Sequence, residues 1–332
     1  MSKPTCSVTK NEVDDGDEDT TTKRLQLDIS RVDIQQAFLK WVGGKRSIMN
    51  HVLNCFPVKI DNYYEPFLGG GSVLLAVLSL RKQGLISITG KIYASDFNET
   101  LINVYKDIQC NKDELYKHLD KFREDYYNIA ELKCTDSGNK SKPKNISEAK
   151  ISKERYYYWL REKFNNMPES VEKSAIFIVI NHTCFRGLYR TGPNGFNVPF
   201  GNYKKPEILS KDRLDSVYAL IKDVEFIHLD FGEALKPAKR NDFIYLDPPY
   251  APENSKSFVK YNEKGFSLEE HKRLFDTILE LDNSKVKLVM SNADVPLVSD
   301  TFKKFQSQKI EAKRAINSKK PGSKTNELLI FN

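Results

Sequence analysis

The tetrad Asp-Pro-Pro-Tyr at residues 247–250 holds the side chains of this sequence that are best suited to chemistry. The carboxylate of Asp247 can accept hydrogen bonds from an NH2 group. The carbonyl of Pro248, which adjoins a residue without an N–H, stays available as a second acceptor, and the ring of Tyr250 offers a face for stacking. The tetrad predicts a site that acts on an amino group of a flat ring; the alternative is a proline-rich turn after a strand.

The elements that position this tetrad are strands and helices that alternate along the chain. Residues 63–72 predict a strand that runs into a glycine turn, and the apolar residues 73–78 predict a buried helix. This alternation continues and indicates βαβ units with a mainly parallel sheet, so the predicted fold class is α/β. Further strands are predicted at 91–95, 225–229, 243–246 and 287–290, and further helices at 98–109 and 268–281.

Composition divides the chain into three parts. Residues 1–22 are polar and acidic, which predicts a disordered tail. Between residues 111 and 210, Lys, Tyr and Asn become frequent, which predicts a separate, mostly helical domain inserted into the domain that carries the sheet. The sheet-bearing domain is then expected to comprise residues 23–110 and 211–332.

The charge pattern is consistent with a polyanionic partner. The chain has a net charge of +7, and outside its first 21 residues 50 Lys and Arg stand against 39 Asp and Glu, a net charge of +11. A basic body of this kind also occurs in proteins that bind nothing charged.

Several other classes are disfavoured by the sequence. It contains no apolar stretch of membrane-spanning length and no N-terminal segment of the signal-peptide kind. We therefore expect no membrane partner and a location in the cytoplasm, or in the infected-cell cytoplasm if the source is a virus. The five cysteines are scattered without a C-x-x-C pair, which predicts neither a disulfide framework nor a metal site.

The glycine turn and the next strand end predict a nucleoside-bearing cofactor. Residues 67–71 lie where a glycine-rich turn lets a ligand approach the backbone, and Asp96 is placed to hold ribose hydroxyls. The alternatives are a tight strand-to-helix turn and a helix cap. Because the F-x-G-x-G spacing lacks the full G-x-G-x-x-G arrangement, S-adenosylmethionine, which has no pyrophosphate, is favoured over NAD. Its sulfonium charge would suit a pocket that contains Asp247.

Five motifs occur in a single order: K-W-V-G-G-K at 40–45, E-P-F-L-G-G-G-S at 65–72, S-D-F-N at 95–98, the segment 181–206, and the tetrad. From Phe38 onward the chain resembles the Dam-type DNA adenine N6-methyltransferases of the D12 class, which modify adenine in GATC. The resemblance implies a Rossmann-like S-adenosylmethionine-dependent methyltransferase fold. It also implies that the inserted domain recognises DNA and carries a β-hairpin.

The resemblance assigns cofactor roles to residues along the sheet-bearing domain. Trp41 and Lys45 are expected to help enclose S-adenosylmethionine, and Asp96 to hold its ribose. The residues expected at its methionine end are Phe67, Gly69 and Gly71, and those expected at its adenine are Asp230 and Phe231.

The segments 181–190 and 196–205 are similar to the family's base-reading hairpin. The resemblance implies that Arg190 reads guanine through its O6 and N7 atoms and that Phe185 wedges into the base stack. Arg186 departs from the small polar residue of the family, which leaves the sequence preference open. The other residues expected to contact DNA are Leu188 and Pro199 beside Arg190, and Lys204 and Lys205 at phosphates.

The expected reaction is methyl transfer to the N6 amino group of adenine in double-stranded DNA. The adenine is expected to flip out of the duplex and stack on Tyr250, while Asp247 and the Pro248 carbonyl hold the amino group for direct in-line displacement. The enzyme is expected to act as a monomer without a metal. The alternatives are an amino-methyltransferase for cytosine N4, RNA or a protein glutamine, a non-catalytic DNA-binding protein, and a nicotinamide-dependent oxidoreductase.

Overall fold

The computed structural model describes residues 23–130, 143–252, 266–313 and 324–332, so the predicted disordered tail at 1–22 lies outside the described residues. The α-helices of the described ranges are α1 (Met49–Asn54), α2 (Ser72–Lys82), α3 (Glu99–Cys110), α4 (Lys112–Asn128), α5 (Ile146–Ala149), α6 (Lys153–Asn166), α7 (Val171–Thr183), α8 (Lys211–Ile221), α9 (Phe231–Leu235), α10 (Leu268–Asn283) and α11 (Pro296–Thr301). The strands are β1 (Lys59–Ile60), β2 (Tyr63–Glu65), β3 (Ser87–Ile88), β4 (Ile92–Asp96), β5 (Thr191–Gly192), β6 (Gly195–Phe196), β7 (Val224–His228), β8 (Phe243–Leu246), β9 (Lys287–Ala293), β10 (Gln306–Lys313) and β11 (Lys324–Phe331).

The central sheet has seven strands in the order β10-β11-β9-β8-β2-β4-β7. Strands β7, β4, β2, β8 and β9 run parallel to one another, and β11 and β10 add an antiparallel edge. The α/β class and the mainly parallel sheet predicted from the sequence are therefore confirmed. The antiparallel pair β10 and β11 was not predicted.

The sheet has apolar side chains on both faces. Successive residues of a strand point to opposite sides, so a strand whose residues are all apolar contributes to a core on each face. In β8, Phe243 and Tyr245 join one core cluster, whereas Ile244 and Leu246 join the other. The first cluster also contains the apolar residues of α2, α3 and α7, and the second those of α10. The helices α4 to α7 and the hairpin β5–β6 lie between α3 and α8 in the chain, and α7 packs into the first cluster.

The strand order reverses direction between β2 and β8, and the region beyond the carboxyl ends of these two strands is called the cleft below. From β2 the chain proceeds outward to β4 and then β7, and it returns to β8 on the opposite side of β2. Residues Tyr63 and Tyr64 of β2 pair with Phe243 and Ile244 of β8, so the two strand ends are neighbours. Ligands of open α/β sheets bind at such a switch point. The glycine turn follows β2 and the tetrad follows β8, so both lie at this cleft.

Candidate active site

The glycine turn after β2 is held in a conformation that requires glycine at two positions. Gly69 has a φ of 51° and Gly71 a φ of 63°, both in the left-handed region that is costly for residues with a Cβ. The N–H of Gly69 donates to Oδ2 of Asp96 at 2.9 Å. This bond ties the turn after β2 to the end of β4, so the residues predicted to hold the two parts of a cofactor are brought together.

Asp96 lies at the end of β4 with both carboxylate oxygens bonded to backbone. Its Oδ1 accepts from the N–H of Asn98 at 2.9 Å, and burial raises its pKa while the backbone N–H groups of Gly69 and Asn98 lower it. The cap of α3 is the Asn98 side chain, which accepts from the N–H of Leu101 at 3.2 Å. The alternative interpretation of Asp96 as the cap of this helix is therefore wrong.

The carboxylate of Asp247 forms an ion pair with a buried lysine from a distant motif. Nζ of Lys45 lies 2.7 Å from Oδ2 of Asp247, and the lysine side chain is 3% exposed. The same ammonium donates to the carbonyl of Gly43 at 2.6 Å. Burial raises the pKa of Asp247, and Lys45 opposes that rise. The Asp247 side chain remains 21% exposed, so part of it is accessible to solvent.

The Tyr250 side chain has one polar contact at its hydroxyl and one at its ring. Its hydroxyl donates to Oε2 of Glu327 in β11 at 2.8 Å, and Nζ of Lys45 lies 5.2 Å from the centre of the ring. The N–H of the next residue, Ala251, donates to Oδ1 of the fully buried Asn292 at 3.0 Å. These contacts fix the end of the tetrad against β9 and β11.

Three aromatic rings pack together next to the end of β2 and the start of α9. Phe67 stacks on Phe231 at 5.5 Å between ring centres, and Phe266 lies 5.9 Å from the former and 5.8 Å from the latter. Beside them, Arg273 forms two hydrogen bonds of 2.7 Å with the two carboxylate oxygens of Asp230. Arg273 lowers the pKa of Asp230. Phe67, Asp230 and Phe231 therefore lie close together, although the resemblance assigns Phe67 to the methionine end of the cofactor and the other two residues to its adenine.

The Trp41 side chain lies directly on the glycine turn. A Cβ built on Gly70 would lie 2.7 Å from the Cβ of Trp41, and one built on Gly69 would lie 3.0 Å from its Cδ1. The opposite side of the indole stacks on Tyr189 with ring centres 5.5 Å apart. Trp41 is therefore the contact between the glycine turn and the segment similar to a base-reading hairpin.

That segment forms a short hairpin with exposed side chains. Strands β5 and β6 pair through two residues each, and the N–H of Asn197 donates to the carbonyl of Arg190 at 3.0 Å. Nε of Arg190 also donates to Oδ1 of Asn197 at 2.6 Å, which fixes the guanidinium. Leu188 is half-buried, and the other residues predicted to contact DNA are exposed, namely Phe185, Arg186, Arg190, Pro199, Lys204 and Lys205.

Arg186 occupies a conformation that is uncommon for an arginine. Its φ is 55°, a left-handed backbone angle that Asn adopts more readily than most residues. Its N–H donates to the hydroxyl of Tyr203 at 2.8 Å, and its guanidinium carbon lies 5.2 Å from the centre of the Phe185 ring. The departure from the family at this position therefore places a cation beside the exposed Phe185.

Two acids of the site were not singled out from the sequence. Glu65 at the end of β2 accepts from the hydroxyl of Tyr63 at 2.7 Å, and burial raises its pKa from 4.5 to about 8. Glu327 contacts Tyr250 from a strand 77 residues further along the chain. Glu65 could have been predicted as a site residue, because it is the first residue of the motif at 65–72. No feature of the sequence connects Glu327 with the tetrad.

The described ranges contain no group of three or more His, Cys, Asp and Glu side chains that could hold a metal ion. No helix among them is long and apolar enough to cross a membrane.

Comparison with known proteins identifies the family to which this site belongs. The family model of the D12 class N6 adenine-specific DNA methyltransferases matches residues 41–316. The chain is 33% identical over 308 residues to the type II methyltransferase M.MjaIII of Methanocaldococcus jannaschii, covering 89% of this chain and 98% of the relative. It is 32% identical to the type II methyltransferase M1.LlaDCHI of Lactococcus lactis subsp. cremoris, covering 89% and 94%. It is 29% identical to a DNA adenine methylase of Serratia marcescens, covering 89% and 97%.

The match spans both the sheet-bearing parts of the chain and the segment between them, so the resemblance stated from the motifs is confirmed. The chain is therefore an enzyme of the D12 class of N6 adenine-specific DNA methyltransferases.

Proposed function

We propose that this enzyme transfers a methyl group from S-adenosylmethionine to N6 of an adenine in duplex DNA, within GATC, after flipping the adenine out of the helix. The observation that carries the proposal is the partly exposed Asp247 side chain after β8, whose carboxylate pairs with the buried Lys45 at 2.7 Å. The proposal includes a division of labour in which residues 111–210 recognise the target, and residues 23–110 and 211–332 carry the chemistry.

The residues at the cleft fit S-adenosylmethionine. A Cβ on Gly70 would lie 2.7 Å from the Trp41 side chain, and Gly69 and Gly71 have left-handed φ angles, so this turn favours residues without a side chain at all three positions. Asp96 offers a carboxylate for ribose hydroxyls. Asp230 and Phe231 are placed at the adenine by the resemblance alone, because both Asp230 oxygens bond to Arg273 and the Phe231 ring is buried beneath the Arg273 guanidinium. The residues that would hold the cofactor are Trp41, Lys45, Phe67, Gly69, Gly71, Asp96, Asp230, Phe231 and Asp247.

The catalytic side chains position the amino group of the target. Asp247 and the Pro248 carbonyl accept its two hydrogen bonds, which draws the nitrogen lone pair out of conjugation with the ring, while Tyr250 stacks on the ring. When bound, S-adenosylmethionine would supply the methyl group and leave as S-adenosylhomocysteine, and the methylated amino nitrogen would release one proton to solvent. Orientation and fixed charge supply the rate acceleration. Burial raises the pKa of Asp247, and the Lys45 ammonium beside it opposes that rise, which favours the ionised carboxylate.

An adenine inside a duplex cannot reach this pocket, so the base must leave the stack. The exposed Phe185 supports base flipping, because its ring is 43% exposed and an aromatic wedge can fill the gap left by a flipped base. Arg186 beside it adds a cation that can contact a phosphate.

The proposed target sequence rests on Arg190 in the hairpin. Asn197 accepts from Nε at 2.6 Å and from Nη2 at 3.3 Å, through its side chain and its carbonyl. The Nη1 donors remain available for O6 and N7 of guanine. Leu188 and Pro199 flank the reader, and Lys204 and Lys205 supply charge for phosphates.

The test is transfer of a tritiated methyl group to unmethylated duplexes that contain GATC or a version with one base pair changed. We expect label in the GATC duplex alone, on N6 of adenine after digestion to nucleosides. Equal label in both duplexes would refute the sequence preference, and label on cytosine would refute the assignment of the target base. The Asp247→Ala variant, which should give background label, is the control for contaminating activity.

A further inference from the structure

The Asn181 side chain of helix α7 forms hydrogen bonds with both the backbone N–H and the backbone carbonyl of Lys40. Oδ1 of Asn181 accepts from the Lys40 N–H at 2.9 Å, and Nδ2 of Asn181 donates to the Lys40 carbonyl at 2.8 Å. Asn181 is 1% exposed, and Nζ of Lys40 donates to the carbonyl of His182 at 3.0 Å. Three hydrogen bonds therefore connect Lys40 to the end of α7, after which the hairpin segment continues.

Trp41, the next residue, lies between the glycine turn and Tyr189. One side of the indole contacts Gly69 and Gly70, and the other stacks on the Tyr189 ring at 5.5 Å with an interplanar angle of 27°. The contact with the turn leaves no room for a methyl group on Gly70. A displacement of the indole would consequently press on the turn or release it.

Tyr189 packs within the inserted domain, and its hydroxyl lies next to the segment that follows Asp96. Its ring packs against Phe177 of α7 at 5.9 Å and against Phe196 of β6 at 5.8 Å. Burial raises the pKa of Tyr189, opposed by the side chains of Thr100 and Asn98 next to its hydroxyl. Tyr189 thus contacts the hairpin, the indole on the glycine turn, and the segment that follows Asp96.

We propose that Tyr189 is a positioning residue that couples target reading to cofactor binding. The inference rests on the proposed function, in which its chain neighbours Leu188 and Arg190 touch bases. When Leu188 and Arg190 bind the target, the backbone of Tyr189 between them is also held in place. The Tyr189 ring, which stacks on Trp41, then holds the indole against the glycine turn. Coupling of this kind is reciprocal, so the cofactor must tighten the binding of the target by the same factor.

The experiment measures the dissociation constant of S-adenosylhomocysteine by calorimetry, without DNA, with a duplex that the enzyme methylates, and with a duplex changed at one base pair. In the wild type we expect the methylated duplex to tighten binding about tenfold, within the usual range of coupling, and the altered duplex to have little effect. In Tyr189→Leu the ratio should fall to about one. Tyr189→Phe, which keeps the ring stack, should retain most of the wild-type ratio.

Each outcome decides the proposal. A wild-type ratio in Tyr189→Leu, or a ratio of one in the wild type, overturns the coupling and leaves the proposed function intact. A wild type that binds neither S-adenosylhomocysteine nor DNA overturns the proposed function together with the coupling.

Hydrogen exchange of the wild type keeps the test decisive if Tyr189→Leu does not fold. Adding the methylated duplex alone should slow exchange of the amides at residues 68–71, whereas the altered duplex should not. Unchanged exchange with both duplexes overturns the proposal.

Discussion

The cleft at the carboxyl ends of β2 and β8 and the hairpin segment 181–205 hold their functional side chains in opposite ways. At the cleft, Lys45 is 3% exposed and lies 2.7 Å from Asp247, and Tyr250 is bonded to a strand 77 residues away. In the hairpin, the strands are two residues long and Phe185 is 43% exposed. Chemistry on one atom requires side chains that packing and charge hold in place, whereas reading DNA requires side chains that are exposed to base edges and phosphates.

The largest effect is expected from Asp247→Ala at the cleft. Loss of the carboxylate removes the fixed acceptor for the amino group, and we expect the rate of methyl transfer to fall by about 10³-fold or more. Lys45 loses its buried partner, so the free energy of unfolding should also fall, by about 1–3 kcal/mol. Transfer rates and urea unfolding measure the two effects separately. The control is Asp223→Ala, whose carboxylate is 80% exposed; a variant of Asp247 that keeps most of its activity would contradict the assignment.

A smaller but still large effect is expected from Gly70→Ala. The added methyl group would lie 2.7 Å from the Cβ of Trp41, so either the indole or the turn must shift. We expect the KM for S-adenosylmethionine to rise by about 10–100-fold, since a shift of this size misplaces the cofactor. Gly44→Ala is a matched control, because its methyl group would meet the Trp41 carbonyl at an ordinary 3.6 Å. Equal KM values for the two variants would argue against the role of the turn.

In the hairpin, Arg190→Ala should change selectivity more than rate. Loss of a bidentate guanine contact is expected to reduce discrimination at one base pair by about 1–3 kcal/mol, measured as the ratio of kcat/KM for the two duplexes. Lys204→Ala should instead weaken binding to all duplexes and reduce the salt dependence of log Kd by about one. Arg31→Ala, at a side chain 85% exposed outside the hairpin, serves as the control. Uniform loss in Arg190→Ala would place that residue among the phosphate contacts.

The last expected effect is on stability alone. It depends on pH because it arises from a buried acid at the cleft, and the exposed acids should not show it. Because the pKa of Glu65 is raised from 4.5 to about 8, the folded protein keeps a proton that the unfolded chain loses between these values. Stability should therefore fall as pH rises through this window, by at most about 1.4 kcal/mol per pH unit from this group. Glu65→Gln lacks this loss, so its stability relative to the wild type should increase from pH 6 to pH 8 in urea unfolding.

Glu207→Gln, at a side chain 88% exposed, should follow the wild type at each of these pH values. If Glu65→Gln does the same, Glu65 is not a buried protonated acid.

The core of the sheet was readable from the sequence because local patterns decide it. The runs at 243–246 and 287–290 became β8 and β9, and the helical pattern at 268–281 became α10. The pair β10 and β11 was missed. In β10, Gln306, Ser307 and Gln308 give no apolar alternation, whereas β11 ends in the apolar run 328–331, a strand signal that was not used. Those strands exist because they pair with β9 and with each other, which is a long-range property.

The candidate site shows the same division between features set by local sequence and features set by long-range contacts. The tetrad and the glycine turn were recognised because their residue types carry the chemistry and the turn conformation. That Lys45 is the buried partner of Asp247, and that Tyr189 stacks on Trp41, could not be read from sequences in which the partners lie far apart.

The sequence by itself determined the class of fold, the order of the motifs and the resemblance to adenine methyltransferases, because these depend on residue types and short spacings. The tertiary structure alone decided the pairing of charges at the cleft, the bond of Glu327 to Tyr250 and the path from the hairpin through Trp41 to the glycine turn. Such contacts arise when the sheet brings strand ends together and burial removes water. A carboxylate and an ammonium that are solvated separately in the unfolded chain then become one ion pair.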